Sequence, residues 1–193
     1  MHFLLAYDKI KKRAADQPGG RSGKEALSLS LLHPTLLKNR ITDITPAELR
    51  ALGAEGLMLD VDNTLTTHGS QALEPAVTDW LDRMREEGFS LLILSNARRK
   101  RVAPFAGRLS LGFVSMACKP LPIGFLRGCR RLGLSRKRCV MIGDQSLTDV
   151  LGARLAGIHC VQVRPILLEE GKPLMMYKRR LEEKILRRYE NRL

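Results

Sequence analysis

Five short apolar runs, Gly56–Leu59, Phe89–Leu94, Gly112–Ala117, Cys139–Ile142 and Cys160–Val163, limit what this chain can fold into. Each has the length of a buried strand, and helical patterns lie between them. Leu73, Val77, Trp80, Leu81 and Met84 recur at helical spacing from Glu74 to Glu87, where Gly88 supplies a stop. Helices are likewise expected from after Asn96 to about Leu109, over Leu121–Leu132 and over Thr148–Ala156. Thr45-Pro46-Ala47-Glu48 is a capping box with proline at the first helical position, which predicts a helix to about Leu52 that Gly53 ends. Strands alternating with helices in this way predict an α/β fold, a three-layer Rossmann-like parallel sheet with helices on both faces. Trp80 then belongs to the core.

The polar residues sit at the strand ends. The first strand runs into Asp60 with Asp62 two residues on, the second into Ser95-Asn96, the third into Lys119 and the fourth into Gly143-Asp144. Ligands of an open parallel sheet lie just beyond the carboxyl ends of its strands, so these four segments are expected to meet in one pocket. A carboxylate buried without a partner takes up a proton or costs several kcal/mol. Asp60 and Asp62 therefore require a cation, a donor or water.

Phosphoryl transfer through an aspartyl-phosphate uses such a set. A carboxylate can attack phosphorus, but a phosphate dianion repels it unless a metal and a cation screen both. Mg²⁺ fits because it takes oxygen ligands and binds through one or two carboxylates plus waters, here Asp60 and Asp144. Lys119 adds the cation. Ser95, the backbone N–H groups after Asp60 and the basic run Arg98, Arg99, Lys100 and Arg101 are placed to hold phosphate or substrate. Asp62 can protonate the leaving alkoxide and then take a proton from the attacking water.

The order of these motifs resembles the haloacid dehalogenase superfamily of phosphatases, with Asp60-Val61-Asp62-Asn63-Thr64, Ser95, Lys119 and Gly143-Asp144 with Asp149 as its four signatures. LDVDNTLT, ILSNARRKRV, CKPLPIGF and VMIGDQSLTDVLGARLAGIHCVQVRPI are similar to the YqeG branch of its class IIIA phosphatases, related to mitochondrial and plastid phosphatidylglycerophosphate phosphatases. The likeness covers about Ser30 to Ile166; Thr66–Ser70 and the basic tail after Leu168 fall outside it. The resemblance implies a Mg²⁺-dependent phosphomonoesterase that converts phosphatidylglycerophosphate to phosphatidylglycerol. It implies Asp60 as nucleophile and metal ligand, and Asp62 as acid/base that lends its backbone carbonyl to the metal. Thr64 and Ser95, with Asn96 beside them, hold phosphate; Lys119 neutralises it; Asp144 completes the metal site and Asp149 supports it. His68, in the loop after the first motif, is read as solvated, with a proton-shuttle role as the alternative.

Spacing adds that neither the gap from Thr64 to Ser95 nor that from Asn96 to Lys119 can hold a cap domain. A capless pocket admits phosphate carried on a large object such as a lipid headgroup. The charge agrees: the net charge is +13, and residues 97–139 hold twelve Lys and Arg with no Asp or Glu. Such a field favours an anionic partner, whether phosphorylated substrate, anionic membrane or nucleic acid. No apolar run approaches the ~18 residues of a spanning helix, Phe3–Ala6 is too short for a signal-peptide core, and Cys118, Cys129, Cys139 and Cys160 lack metal-site spacing. A cytoplasmic protein with peripheral contact at the inner face of the membrane is expected. Residues 1–30 read as a flexible extension, 31–168 as the phosphatase domain and 169–193 as a basic C-terminal helix. Two other readings stay open: a phosphatase of a soluble sugar phosphate or nucleotide, and a basic RNA- or ribosome-associated module that keeps the fold.

Overall fold

The computed structural model describes residues 31–67, 69–167 and 173–191. The expected extension over residues 1–30 and His68 lie outside the described residues. In chain order the elements are β1 (Leu36–Lys38), α1 (Pro46–Ala51), β2 (Gly56–Leu59), α2 (Pro75–Glu86), β3 (Ser90–Leu94), α3 (Arg99–Arg108), β4 (Gly112–Val114), α4 (Pro122–Leu132), β5 (Cys139–Gly143), α5 (Leu151–Ala156), β6 (His159–Val163) and α6 (Pro173–Glu190). A π-helical turn, Ser146–Val150, precedes α5. Thr45 caps α1 by accepting from the Glu48 N–H while Glu48 accepts from the Thr45 N–H, as the capping box predicts.

Among the described residues six strands form one parallel sheet in the order β1-β6-β5-β2-β3-β4. The strand pattern alone gives five of them. Leu36–Lys38 is too short for an alternation to be read, yet it pairs with β6 as an edge strand. The third strand also ends earlier than expected, at Val114, because Met116 and Cys118 adopt left-handed φ angles of 47° and 56° that carry the chain out of the sheet.

Period-2 alternation sorts the core into two layers. Leu57, Leu59, Leu91, Ile93, Val140 and Ile142 face α1, α2 and α3, from which Leu49, Trp80, Leu81 and Phe105 pack on them. Met58, Leu92, Leu94 and Met141 face the other way, against Phe125 and Cys129 of α4 and Ala153 of α5. Trp80 is buried as expected and donates its indole N–H to the Ile44 carbonyl at 2.8 Å. The sheet is thus covered on both faces. Among the described residues α2 is the one helix between β2 and β3, and α3 the one between β3 and β4.

The basic C-terminal helix packs back on the domain. Ile185 and Leu186 are buried, and Ile185 joins a small cluster with Leu32, Leu147 and Leu151. No helix among the described residues is long and apolar enough to cross a membrane.

Winding proceeds outward from β2 through β3 to β4, then returns to β5 on the other side of β2. The crevice between β2 and β5 is where the strand order reverses, the place such sheets reserve for ligands. Gly124 seats α4 near that edge: a Cβ there would lie 2.1 Å from the Ala117 carbonyl oxygen. Gly124→Ala must therefore displace backbone, and it is expected to cost about 1–3 kcal/mol, read as a lower urea midpoint. An unchanged midpoint would show that the loop yields freely.

Candidate active site

Register brings the strand ends level. Leu59 pairs with Ile93 on one side and Ile142 on the other, so Asp60, Leu94-Ser95 and Gly143-Asp144 leave the sheet side by side. Asp60 stays anchored through its N–H to the Ile142 carbonyl. From the β4–α4 loop Lys119 reaches into the same crevice, where its Nζ donates to Asp60 Oδ1 at 2.6 Å and to Asp149 Oδ1 at 2.7 Å. All three groups are buried.

Two local features hold this cluster. Asn96 accepts from the Lys119 N–H at 2.7 Å and donates to the Lys119 carbonyl at 3.1 Å, so its carboxamide fixes the lysine backbone from both sides. Asn96, expected from the sequence beside the phosphate, thus also positions Lys119 through its carboxamide. Gly143, in turn, leaves room for Asp149, whose Cγ lies 2.4 Å from where a Cβ would stand. The π-helical turn swings Asp149 back over Gly143, and its Oδ2 accepts from the Gln145 N–H.

Asp60, Asp144 and Asp149 each offer an oxygen within 4.8 Å of the others. A buried set of acidic oxygen donors fits a hard divalent cation such as Mg²⁺. Asp149, read from sequence as a support, thus stands within the donor set, whereas the side chain of Asp62, expected as acid/base with only its backbone carbonyl toward the metal, stands outside it. Asp62 Oδ1 instead meets the Arg101 guanidinium from α3 and the Gly69 N–H. Arg101 is therefore drawn to Asp62, while Arg98, Arg99 and Lys100 stay exposed on the rim.

Ser95 is buried beside Asp60, and its Oγ accepts from the Ala97 N–H, which leaves the hydroxyl proton available to a ligand. Thr64 is buried with its Oγ1 unpaired, but it lines a different cavity, of about 100 Å³, between Asn39–Thr42 and Val163–Ile166. The chain turns at Asn63, whose φ is 60°, and this takes Thr64 away from the small cavity lined by Asp62, Ser95 and Arg101.

Sequence reasoning missed two supports. Gln162, the one polar residue inside β6, donates to the Asp144 carbonyl and exchanges hydrogen bonds with Ser146, which fixes the acidic turn. An amide within an apolar strand was the available signal. Glu182 of α6 accepts from the Leu147 N–H at 3.5 Å and closes the same turn from outside.

The Asp60 and Lys119 pKa values are both raised, for different reasons. Burial pushes Asp60 up to about 6, opposed by Lys119 and reinforced by Asp149. Burial would lower the Lys119 ammonium, but Asp149 and Asp60 outweigh it and hold it above the usual lysine value.

The comparisons with known proteins point one way. The family model for haloacid dehalogenase-like hydrolases matches residues 48–157. The chain is similar to the probable phosphatase YqeG of Bacillus subtilis, 35% identical over 153 residues, which covers 79% of this chain and 88% of that protein. It is also 30% identical over 168 residues to the chloroplastic phosphatidylglycerophosphate phosphatase 1 of Chlamydomonas reinhardtii, covering 80% of this chain and 61% of that one. Among solved structures, an uncharacterized protein from Listeria monocytogenes serotype 4b aligns with a TM-score of 0.50 at 19% identity, over 61% of this chain and 84% of that one. The 4-nitrophenylphosphatase of Thermotoga maritima aligns with a TM-score of 0.50 at 12% identity, over 64% and 89%. At such identities these two show the fold alone.

The raised Asp60 carboxyl has a measurable consequence in metal-free protein. Between the ordinary 3.8 and about 6, folded Asp60 keeps a proton that the unfolded chain has lost. Its contribution to stability is full below the lower value and disappears as pH rises through the upper one. In EDTA, the Tm of Asp60→Asn relative to the parent should therefore rise across this interval. A difference that is flat or falls would remove the argument.

Proposed function

As the chain belongs to the haloacid dehalogenase-like hydrolases and is a phosphatase of the YqeG type, we propose that it hydrolyses phosphomonoesters through an aspartyl-phosphate on Asp60, and that its substrate is phosphatidylglycerophosphate. The observation that carries the catalytic half is the buried contact of Lys119 with both Asp60 and Asp149 at the carboxyl edge of the sheet.

The Asp60 carboxylate oxygen forms a bond to phosphorus as the bond from phosphorus to the substrate oxygen breaks. Asp62 gives its proton to the departing alkoxide; in the second half it takes one back from a water whose oxygen bonds to phosphorus as the Asp60–phosphorus bond breaks, which releases inorganic phosphate and restores the Asp60 carboxylate. Arg101 keeps Asp62 at the mouth of the crevice. Lys119 and the Ser95 hydroxyl face the charge on the phosphoryl oxygens. Asp60, Asp144 and Asp149 would hold Mg²⁺, with the Asp62 backbone carbonyl as a further oxygen; the ion would supply Lewis-acid screening of the phosphate.

Two observations support a lipid substrate. With only α2 and α3 in the connections where a cap would be inserted, no added domain stands over the crevice among the described residues. The rim carries Arg98, Arg99 and Lys100, which suits a substrate embedded in an anionic surface. The Chlamydomonas relative, by its name, acts on phosphatidylglycerophosphate.

Asp60→Asn is expected to lower Mg²⁺-dependent phosphate release on the order of 10⁴-fold with the fold intact, since it removes the nucleophile. Asp62→Asn should lower kcat roughly 10²- to 10⁴-fold by removing the acid/base. Unchanged turnover in either variant would withdraw its role. Detergent-dispersed phosphatidylglycerophosphate should be turned over with a higher kcat/KM than a panel of sugar phosphates and nucleotides; the reverse order would favour a soluble substrate.

A further inference from the structure

The loop that delivers Lys119 also turns apolar side chains outward. Between β4 and α4, Ala117, Lys119 and Pro120 are buried, whereas Met116, Cys118 and Leu121 are exposed. The left-handed backbone at Met116 and Cys118 belongs to this alternation. The first turns of α4 continue the pattern with Ile123 and Leu126. Met116 is 59% exposed, Leu121 49%, Ile123 58% and Leu126 38%, four large apolar side chains within eleven residues. Single exposed apolar residues need no explanation, but a contiguous group beside a catalytic lysine does.

Cations surround this group. Ile123, Leu126, Arg127 and Arg130 lie three and four apart on one stripe of α4, all exposed. The Met116 N–H bonds to the Ala97 carbonyl, which sets the loop against the start of α3 where Arg98 and Lys100 stand. Arg99 of α3 and Arg131 of α4 both lie over the Phe113 ring, at 5.4 and 5.9 Å from its centroid, and tie the two helices into one face. No carboxylate falls anywhere between residues 97 and 139.

We propose that this face, with Met116, Leu121, Ile123 and Leu126 as its apolar tip and Arg98, Lys100, Arg127 and Arg130 around it, docks the enzyme on an anionic lipid bilayer. Apolar side chains that reach the headgroup boundary, ringed by cations and free of acids, are complementary to such a surface. The placement favours a bilayer over a protein partner: the occupant lies against the loop of Lys119, so it presents its own phosphomonoesters to the crevice. This docking surface rests on the lipid reading of the substrate and adds to it the residues that meet the membrane.

Flotation of the full chain with vesicles lacking any substrate tests docking apart from catalysis. The parent protein should float with phosphatidylcholine–phosphatidylglycerol vesicles, should not float with phosphatidylcholine alone, and should be released by high salt. Leu121→Asn combined with Ile123→Asn should weaken flotation on the order of tenfold or more while hydrolysis of a small soluble monoester and the Tm stay at parental values. Failure of the parent to float, or equal flotation of the double variant, overturns the proposal. Should the double variant misfold, Leu126→Asn with Arg130→Gln on the exposed side of α4 serves the same comparison. Vesicle binding that depends on these residues, without hydrolysis of detergent-dispersed phosphatidylglycerophosphate, would keep the surface and discard the lipid substrate. Hydrolysis of the dispersed lipid without vesicle binding would do the opposite.

Discussion

Lys119 stands between two buried carboxylates, and much of the domain serves to keep it there. A buried ion pair is a poor source of stability, because desolvation of the charges can exceed their attraction, while removal of one partner leaves the others stranded. Here Lys119 pairs with Asp60 and Asp149, and Asp144 offers a third carboxylate oxygen within 4.8 Å of theirs. Three acidic oxygens so close together fit a hard divalent cation. The cost of burying them is carried by apolar layers on both faces of the sheet, one of which reaches the site through Val61, Val102 and Phe105.

The fold was legible because its signals are local and repeated. Four-to-six-residue apolar runs, glycine stops after α1 and α2, and the Thr45–Glu48 capping box each specify an element without reference to the rest of the chain. The meeting of Asp60, Ser95 and Asp144 at one crevice was legible because each directly follows a strand, and Lys119 was legible as the cation in the loop after the third. Legibility failed where contact depends on the angle at which distant pieces meet. Nothing in the spacing of Asp62 and Arg101 reveals that α3 brings them together, and Asn96 follows Ser95 so closely that only the loop path shows it clamping Lys119. The cavity that Thr64 lines was equally hidden, because the left-handed Asn63 before it turns the chain. Asp149 was undervalued because its reach depends on a π-helical turn and on an empty Cβ position at Gly143.

Packing and chemistry therefore occupy different parts of the same strands. Alternating side chains of β2, β3 and β5 build the two cores, and the first residues past their ends build the crevice. The second support is C-terminal: α6 lays Ile185 and Leu186 on the domain and bonds Glu182 to the turn that carries Asp149. A helix that reads as a basic appendage is in this way joined to the acidic site.

The edge strand β1 carries a consequence for how the molecule comes into being. Its partner is β6, and the Thr35 N–H reaches the Cys160 carbonyl across almost the whole domain. A ribosome releases Leu36–Lys38 early, yet that segment has nothing to pair with until residues 159–163 have emerged. During synthesis the sheet can grow from β2 to β3 and β4, but the order of its other half is dictated by the chain's last strand, and long-range pairings of this kind form slowly. Until β1 returns, β6 presents an open row of backbone donors and acceptors, the kind of edge on which unfinished chains adhere to one another. The three residues least visible in the sequence are thus the ones that close the nascent protein against its neighbours.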